Sequence, residues 1–168
     1  RRSDGNTFED LFTQVMNYAE PDFEQIKPWG NIGDRKNDGF IRSKGIFYQV
    51  FAPEEIDKSY PDAISKLEKD FKGLISQWHP VKEFYFVVND KYKGVHADSN
   101  NRIENIVKTN SLNKGKILTA RDLERIVFTL PDDQILKIVS FLPSLNQLGN
   151  LDFSVVTQVI GYIMKLEV

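Results

Sequence analysis

Helical periodicity marks three stretches within the first 118 residues. Near the amino end, Thr7 is placed to cap a helix and Pro21 to end it. The apolar residues between them recur three or four positions apart, namely Phe8, Leu11, Phe12, Val15 and Met16. The same period returns over 60–78 in one stripe formed by Ile64, Leu67, Phe71, Leu74, Ile75 and Trp78. A third, shorter helix is predicted over 102–108.

Short runs of β-prone residues separate these helices. They predict strands over 22–27, 40–42, 46–52, 84–88 and 116–118. The run 46–52 is almost continuously apolar, which is typical of a strand that is buried on both faces. Three glycines and two asparagines between 28 and 39 indicate a turn-rich loop. The order α-β-β-β-α-β-α-β predicts an α/β domain with a mixed sheet flanked by helices.

The pattern becomes entirely helical after Thr119. Apolar periodicity there predicts helices over 123–130, 135–142 and 152–166. We therefore expect an α/β domain over 7–118 and a helical C-terminal extension or subdomain over 119–168.

Composition narrows the class of protein. A chain of 168 residues can bury a sizeable core. The absence of cysteine excludes disulfide scaffolds, zinc ribbons, iron–sulfur clusters and thiol nucleophiles, and it fits a reducing compartment such as the cytoplasm. Because no apolar run reaches ~18 residues and no secretory signal opens the chain, we expect no membrane association. Because the chain opens on Arg1 rather than Met, we expect either a piece of a longer protein or a processed chain.

Charge is distributed unevenly. The formal net charge of −2 gives the whole chain no attraction to phosphate. From Lys27 to Lys44, however, five basic residues stand against two acidic ones, a local charge of +3. The candidate nucleic-acid contacts in this stretch are Arg35, Lys36, Arg42 and Lys44. The alternative is an ordinary solvated loop.

The strongest chemical signal is the spacing of Asp38 and Gln49. Two antiparallel strands joined by a tight turn bring these residues to neighbouring positions at one end of a hairpin. A carboxylate and a carboxamide oxygen together can hold a hard divalent ion such as Mg²⁺, with waters completing its coordination. The alternatives are an Asx-turn for Asp38 and a hydrogen-bonded core amide for Gln49.

Other chemistries lack their motifs. His79 and His96 are 17 residues apart without a carboxylate at metal-ligand spacing, so a zinc site is not expected. No G-x-S-x-G elbow indicates a serine hydrolase, and no G-x-x-x-x-G-K-[ST] loop indicates an NTPase.

The loop 33–40, with sequence GDRKNDGF, followed by a hairpin and Gln49, resembles the PD-(D/E)XK nuclease superfamily, especially its Mrr-like restriction endonucleases. The resemblance covers residues 7–95. It implies a restriction-endonuclease-like fold, cleavage of DNA, and Mg²⁺ or Mn²⁺ as cofactor. It further implies that Asp38 and Gln49 bind the metal with the Val50 carbonyl, and that Glu9 of the opening helix joins the site.

The chain departs from the family pattern at Phe51, where the family has a lysine. Some branches of the superfamily carry this lysine on the following helix, where Lys66 and Lys69 are available here. Lys66 is the preferred candidate because it lies one helical turn from Asp70. Otherwise the fold is catalytically degenerate and serves as a binding module.

A second, finer resemblance concerns the segments YQVFAPE at 48–54 and FYFVVND at 84–90. Together with the helical tail, they are similar to domains of bacterial ABC-three-component antiphage systems. The resemblance implies a defence complex with further subunits or domains, for which an ATPase is a candidate. A homo-oligomer is the alternative form of association. We therefore expect a DNA endonuclease domain in antiphage defence. The alternatives are a degenerate interaction or sensing module and an unrelated α/β domain.

Overall fold

The computed structural model describes residues 3–26, 37–52 and 60–139, with side chains from Thr7, Asn37 and Ser65 onward in these three segments. The predicted helix over 152–166 lies outside the described residues, as do Arg35 and Lys36 of the predicted nucleic-acid surface.

The described elements follow the predicted order of helices and strands. They are α1 Ser3–Ala19, β1 Glu24–Gln25, β2 Gly39–Ile41, a 3₁₀ turn Arg42–Lys44, β3 Ile46–Phe51, α2 Tyr60–Gln77, β4 Glu83–Val88, α3 Ala97–Thr109, β5 Lys114–Leu118, α4 Ala120–Val127 and α5 Asp132–Val139. The predicted α/β class, with a mixed sheet flanked by helices, is therefore confirmed.

The sheet has five strands in the order β1-β2-β3-β4-β5. Strands β1, β2 and β3 are antiparallel neighbours, whereas β3, β4 and β5 run parallel. The two parallel connections pass through α2 and α3, as parallel pairing requires a crossover. The β2–β3 register pairs Gly39 with Tyr48, and one step further along it places Asp38 opposite Gln49.

The sheet is covered on both faces. The α1-side core is built from α1, α4, α5 and one face of the sheet, with Phe8, Phe12, Val15, Met16, Phe23, Ile41, Tyr48, Val50, Val87, Ala120, Leu123 and Ile138. The α2-side core is built from α2, α3 and the other face, with Phe40, Phe47, Leu67, Phe71, Leu74, Phe84, Phe86, Val88, Ile103, Leu112 and Ile117. Burial of β3 and β4 on both faces explains their nearly uninterrupted apolar sequences.

Helices α4 and α5 continue this packing beyond the last strand. Thr119 caps α4 through a capping box with Asp122, which begins the helix directly after β5. Ala120 and Leu123 then enter the α1-side core. The compact unit that contains the sheet extends to Ile138, and a second unit begins at the following residue. No helix among the described residues is long and apolar enough to cross a membrane.

Candidate functional site

The hairpin of β2 and β3 builds the site by fixing its register. Gly45 closes the turn in the left-handed conformation, with φ +67°, and its N–H donates to the Arg42 carbonyl. The Gly45 carbonyl accepts from the N–H groups of Lys82 and Glu83, which ties the turn to the start of β4. At the other end, a Cβ on Gly39 would overlap the Phe23 ring, so glycine allows close packing beside Asp38.

Asp38 is buried and is held from the opposite strand. One oxygen, Oδ2, accepts hydrogen bonds from Gln49 Nε2 at 2.7 Å and from the Val50 N–H at 2.5 Å. The Asp38 N–H donates to the Tyr48 carbonyl, and its carbonyl accepts from the Ile26 N–H. The carboxylate is thus held by β3, and the Asp38 backbone is held by β3 and by Ile26, directly after β1, rather than by a local turn.

The residues next to this carboxylate carry polar atoms without hydrogen-bond partners. Gln49 is 2% exposed, and its Oε1 has no partner, whereas Nε2 contacts Asp38 and, at 3.4 Å, the Val50 carbonyl. The adjacent Asn37 is fully buried, and neither its Oδ1 nor its Nδ2 has a partner. An unsatisfied buried polar group costs about 1–3 kcal/mol, so these atoms are a local cost to the stability of the hairpin. A cation shared by Asp38 and Gln49 requires the Gln49 amide to turn its Oε1, in place of Nε2, towards the carboxylate.

The oxygen atoms fit Mg²⁺ in kind. Asp38 offers a carboxylate, Gln49 a carboxamide oxygen and Val50 a carbonyl, and Mg²⁺ commonly binds through one or two carboxylates, waters and substrate phosphates. Within the segments that the structure describes, no group of three or more His, Asp or Glu residues comes together. Metal binding here would therefore depend on one negative charge and on neutral oxygens.

Alternation along the strands places the pair on the α2 side of the sheet. Gln49 lies between Phe47 and Phe51, and Asp38 lies two residues before Phe40, and all three aromatic rings belong to the α2-side core or pack against it. Helix α2 follows β3 in the chain, so its first turns lie towards the carboxyl end of β3, the end nearer to Gln49.

Helix α2 distinguishes the two candidate lysines. Lys66 Nζ is 2.7 Å from Asp70 Oδ2, and this carboxylate is only 3% exposed. Asp70 belongs to the buried stripe of α2 between Leu67 and Leu74, so the ion pair directs Lys66 towards the sheet side of the helix. Lys69 is exposed. The sequence already distinguishes the two lysines, because Asp70 is an acidic residue on the apolar stripe of α2 and lies four positions after Lys66.

Phe51, at the family's lysine position, has a packing role. Its ring stacks on Phe86 with centroids 6.0 Å apart, and it packs against the α2-side core. No ammonium group can therefore reach the Asp38–Gln49 pair from this position of β3.

The remaining predicted residues are spread over the fold. Glu9 is partly buried on α1, whose apolar side forms the opposite core. Arg42 and Lys44 lie in the turn at the far end of the hairpin, four or more residues from Asp38, which is roughly 13 Å at ~3.3 Å per residue. Arg42 lies over the Phe40 ring at 5.1 Å, and Lys44 Nζ is 2.9 Å from Glu20 Oε2. The structure thus does not bring these two basic residues together with the Asp38–Gln49 pair.

Asp90 is a further buried carboxylate that sequence reasoning did not single out. Its two oxygens accept from the N–H groups of Ala120 and Gly94, at 2.9 and 2.8 Å. Because one of these donors is the first residue of α4, Asp90 links the end of β4 to the start of that helix. Its role is structural.

No family model, curated protein or solved structure matches the chain. The arguments for a function are therefore the geometry of the hairpin and the sequence resemblance.

Proposed function

We propose that the chain is a metal-dependent endonuclease domain of PD-(D/E)XK type that cleaves DNA phosphodiester bonds. The observation that carries the proposal is the convergence of a buried carboxylate, an amide with an unpartnered oxygen, and the Val50 backbone at one end of the β2–β3 hairpin. Asp38 is the principal Mg²⁺ or Mn²⁺ ligand, assisted by Gln49 Oε1 and the Val50 carbonyl.

The bound ion and residues of α2 have different roles in the proposed reaction. When bound, the ion polarises the phosphodiester and lowers the pKa of a bound water. Lys66 stabilises the negative charge that develops on the phosphate, and Asp70 holds its ammonium group in place. Lys69 and Glu9 were the other candidates. The packing favours Lys66 over Lys69 because only Lys66 is paired with a buried carboxylate.

The cellular role follows from the second sequence resemblance. Its similarity to ABC-three-component domains supports action in bacterial antiphage defence, in the cytoplasm, within a complex that includes an ATPase. Such a partner would also supply a basic DNA-binding surface, because the net charge of −2 gives the whole chain no attraction to phosphate.

A nicking assay tests the proposal. Wild-type chain incubated with supercoiled plasmid should convert it to open circles with Mg²⁺ or Mn²⁺ and not with EDTA. Asp38→Asn should lower the nicking rate by at least about 100-fold, because one metal ligand contributes several kcal/mol to charge stabilisation. Asp98→Asn, the same change at an exposed position of α3, is the matched control. Equal rates for wild type and Asp38→Asn would contradict the proposal.

A second candidate function has its own supporting observation. Phe51 is packed against the α2-side core, where the family has its lysine, and the nearest candidate replacement is already ion-paired with Asp70. This arrangement favours a catalytically degenerate nuclease fold that acts as an interaction or sensing module. Metal-independent DNA or protein binding, without nicking in the assembled complex, would support the module over the enzyme.

A further inference from the structure

A cavity of about 330 Å³ opens on the α1 side of the sheet, the face opposite to Gln49. We name it the tyrosine pocket, and it is lined by Met16, Ala19, Glu20, Tyr48, Tyr85, Leu118, Ile126 and Thr129. A volume of this size is at the lower end of the range for small-molecule sites. Most of its lining is apolar, and Glu20 is the charged residue among the described residues that line it.

Two stacked tyrosines form one wall of the pocket. Tyr48 and Tyr85 are paired in register on β3 and β4, and their ring centroids are 5.3 Å apart at an interplanar angle of 18°. Aromatic faces carry partial negative charge and attract cations. Burial raises the pKa of Tyr48 far above its ordinary value, and the charges of Glu20 and Glu83 raise it further. The phenol is therefore neutral at physiological pH and lies in a negative potential.

Backbone dipoles add to this negative potential. Helix α1 ends at Ala19 and α4 ends at Val127, so the carboxyl ends of both helices meet the pocket. A helix carboxyl end carries roughly half a negative charge. Helix α1 has no basic residue in its last turn to offset it, and Glu20 follows immediately. Helix α4 carries the exposed Arg125 in its last turn, so its end contributes less. The Glu20 carboxylate, the ring faces and the end of α1 all favour a cationic ligand.

We propose that the tyrosine pocket binds a small organic cation, an ammonium or guanidinium group carried on an apolar body. The apolar body contacts Met16, Leu118 and Ile126, and the cationic group binds Glu20 beside the tyrosine rings. This function is separate from phosphodiester chemistry, because the pocket and Gln49 lie on opposite faces of the sheet.

Two of the chain's own lysines contact residues that line the pocket. Lys44 Nζ is 2.9 Å from Glu20 Oε2, and Lys114 Nζ lies 6.0 Å from the centroid of the Tyr85 ring. The hydrogen bond and the charge of Glu20 raise the pKa of Lys44, so this amine stays protonated. A ligand ammonium replaces Lys44 on the Glu20 carboxylate, and Lys44 is therefore its competitor.

Ligand selectivity gives the first test. The folded chain is titrated with phenethylamine, with its neutral analogue 2-phenylethanol and with the anion 3-phenylpropionate, and binding is followed by NMR chemical-shift changes. The amine should bind saturably and at least about fivefold more tightly than the alcohol, with the anion weakest. Equal affinity for the amine and the alcohol, or tightest binding of the anion, would overturn the proposal.

Substitutions locate the binding site. Glu20→Gln should weaken phenethylamine binding about tenfold, because it removes a charge-assisted hydrogen bond. Glu24→Gln, the same change at an exposed position of β1, should leave it unchanged. Lys44→Ala should strengthen binding several-fold by removing the competing ammonium. Unchanged binding in Glu20→Gln, or weakened binding in Lys44→Ala, would overturn the proposal, provided that the variants unfold at the wild-type temperature.

Discussion

At the scale of residues, Asp38 and Gln49 lie eleven positions apart in the chain and are joined by a 2.7 Å hydrogen bond. Spacing predicts this contact because a tight hairpin fixes which residues face each other. Spacing does not predict that Gln49 Oε1 lacks a partner, since this depends on how the amide is oriented and packed. Nor does it predict that Arg42 and Lys44, which belong to the same basic stretch of the sequence, lie at the other end of the hairpin from the Asp38 carboxylate.

The contrast between Lys66 and Lys69 leads to a prediction. Lys66→Met should lower metal-dependent nicking about 100-fold while leaving Mn²⁺ affinity unchanged, and Lys69→Met should change the rate less than about twofold. Lys66→Met also leaves Asp70 buried without its ammonium partner, so it should reduce the free energy of unfolding by about 1–2 kcal/mol more than Lys69→Met.

Plasmid nicking and urea unfolding of the two variants measure these effects. Lys66→Arg serves as the conservative variant, which keeps the positive charge and should retain most of the stability. Equal nicking losses in Lys66→Met and Lys69→Met would contradict the assignment of Lys66.

At the scale of elements, the strongly periodic segments were the most predictable. Helix α2 and strands β3 and β4 lie within two residues of their predicted limits, because each has a long apolar pattern. Helix α3 begins five residues earlier than predicted, at Ala97. Its first turns are polar and, apart from Ser99, exposed, so apolar periodicity could not reveal them.

The junction of β5 and α4 leads to a prediction about pH. Burial by itself would raise the pKa of Asp122, but hydrogen bonds from Lys116 and Thr119 outweigh burial and lower the pKa below its ordinary value of 3.8. A carboxyl whose pKa is lower in the folded chain stabilises the fold above its unfolded pKa. This stabilisation is lost as the pH falls through the lowered, folded pKa.

Asp122→Asn should therefore lower the free energy of unfolding by about 1 kcal/mol at pH 7, and by much less near pH 3. Urea denaturation at the two pH values measures the difference. Asp132→Asn, in the exposed first turn of α5, is the control. A destabilisation that is as large at pH 3 as at pH 7 would contradict this role for the Asp122 charge.

At the scale of the whole molecule, sequence predicts the class of fold better than it predicts how the helices pack against the sheet. The α/β class and the mixed sheet follow from the order of helical and extended patterns. Helix α4 packs against the sheet because Ala120 and Leu123 join the α1-side core with residues of β3 and β4. A sequence pattern identifies an apolar stripe but does not specify which surface the stripe covers. The tyrosine pocket arises in the same way, from residues of five elements.

The central claim is that Asp38 holds a divalent ion, and Mn²⁺ binding tests it most directly because it requires neither cleavage nor a partner. Wild-type chain is titrated with Mn²⁺ and the free ion is measured by electron paramagnetic resonance, beside Asp38→Asn and the control Asp98→Asn. We expect one saturable Mn²⁺ site in the wild-type chain, from which Mg²⁺ displaces Mn²⁺. Asp98→Asn should bind Mn²⁺ with about the wild-type affinity, and Asp38→Asn at least about tenfold more weakly. Absence of binding to the wild-type chain, or equal affinity in wild type and Asp38→Asn, would contradict the claim.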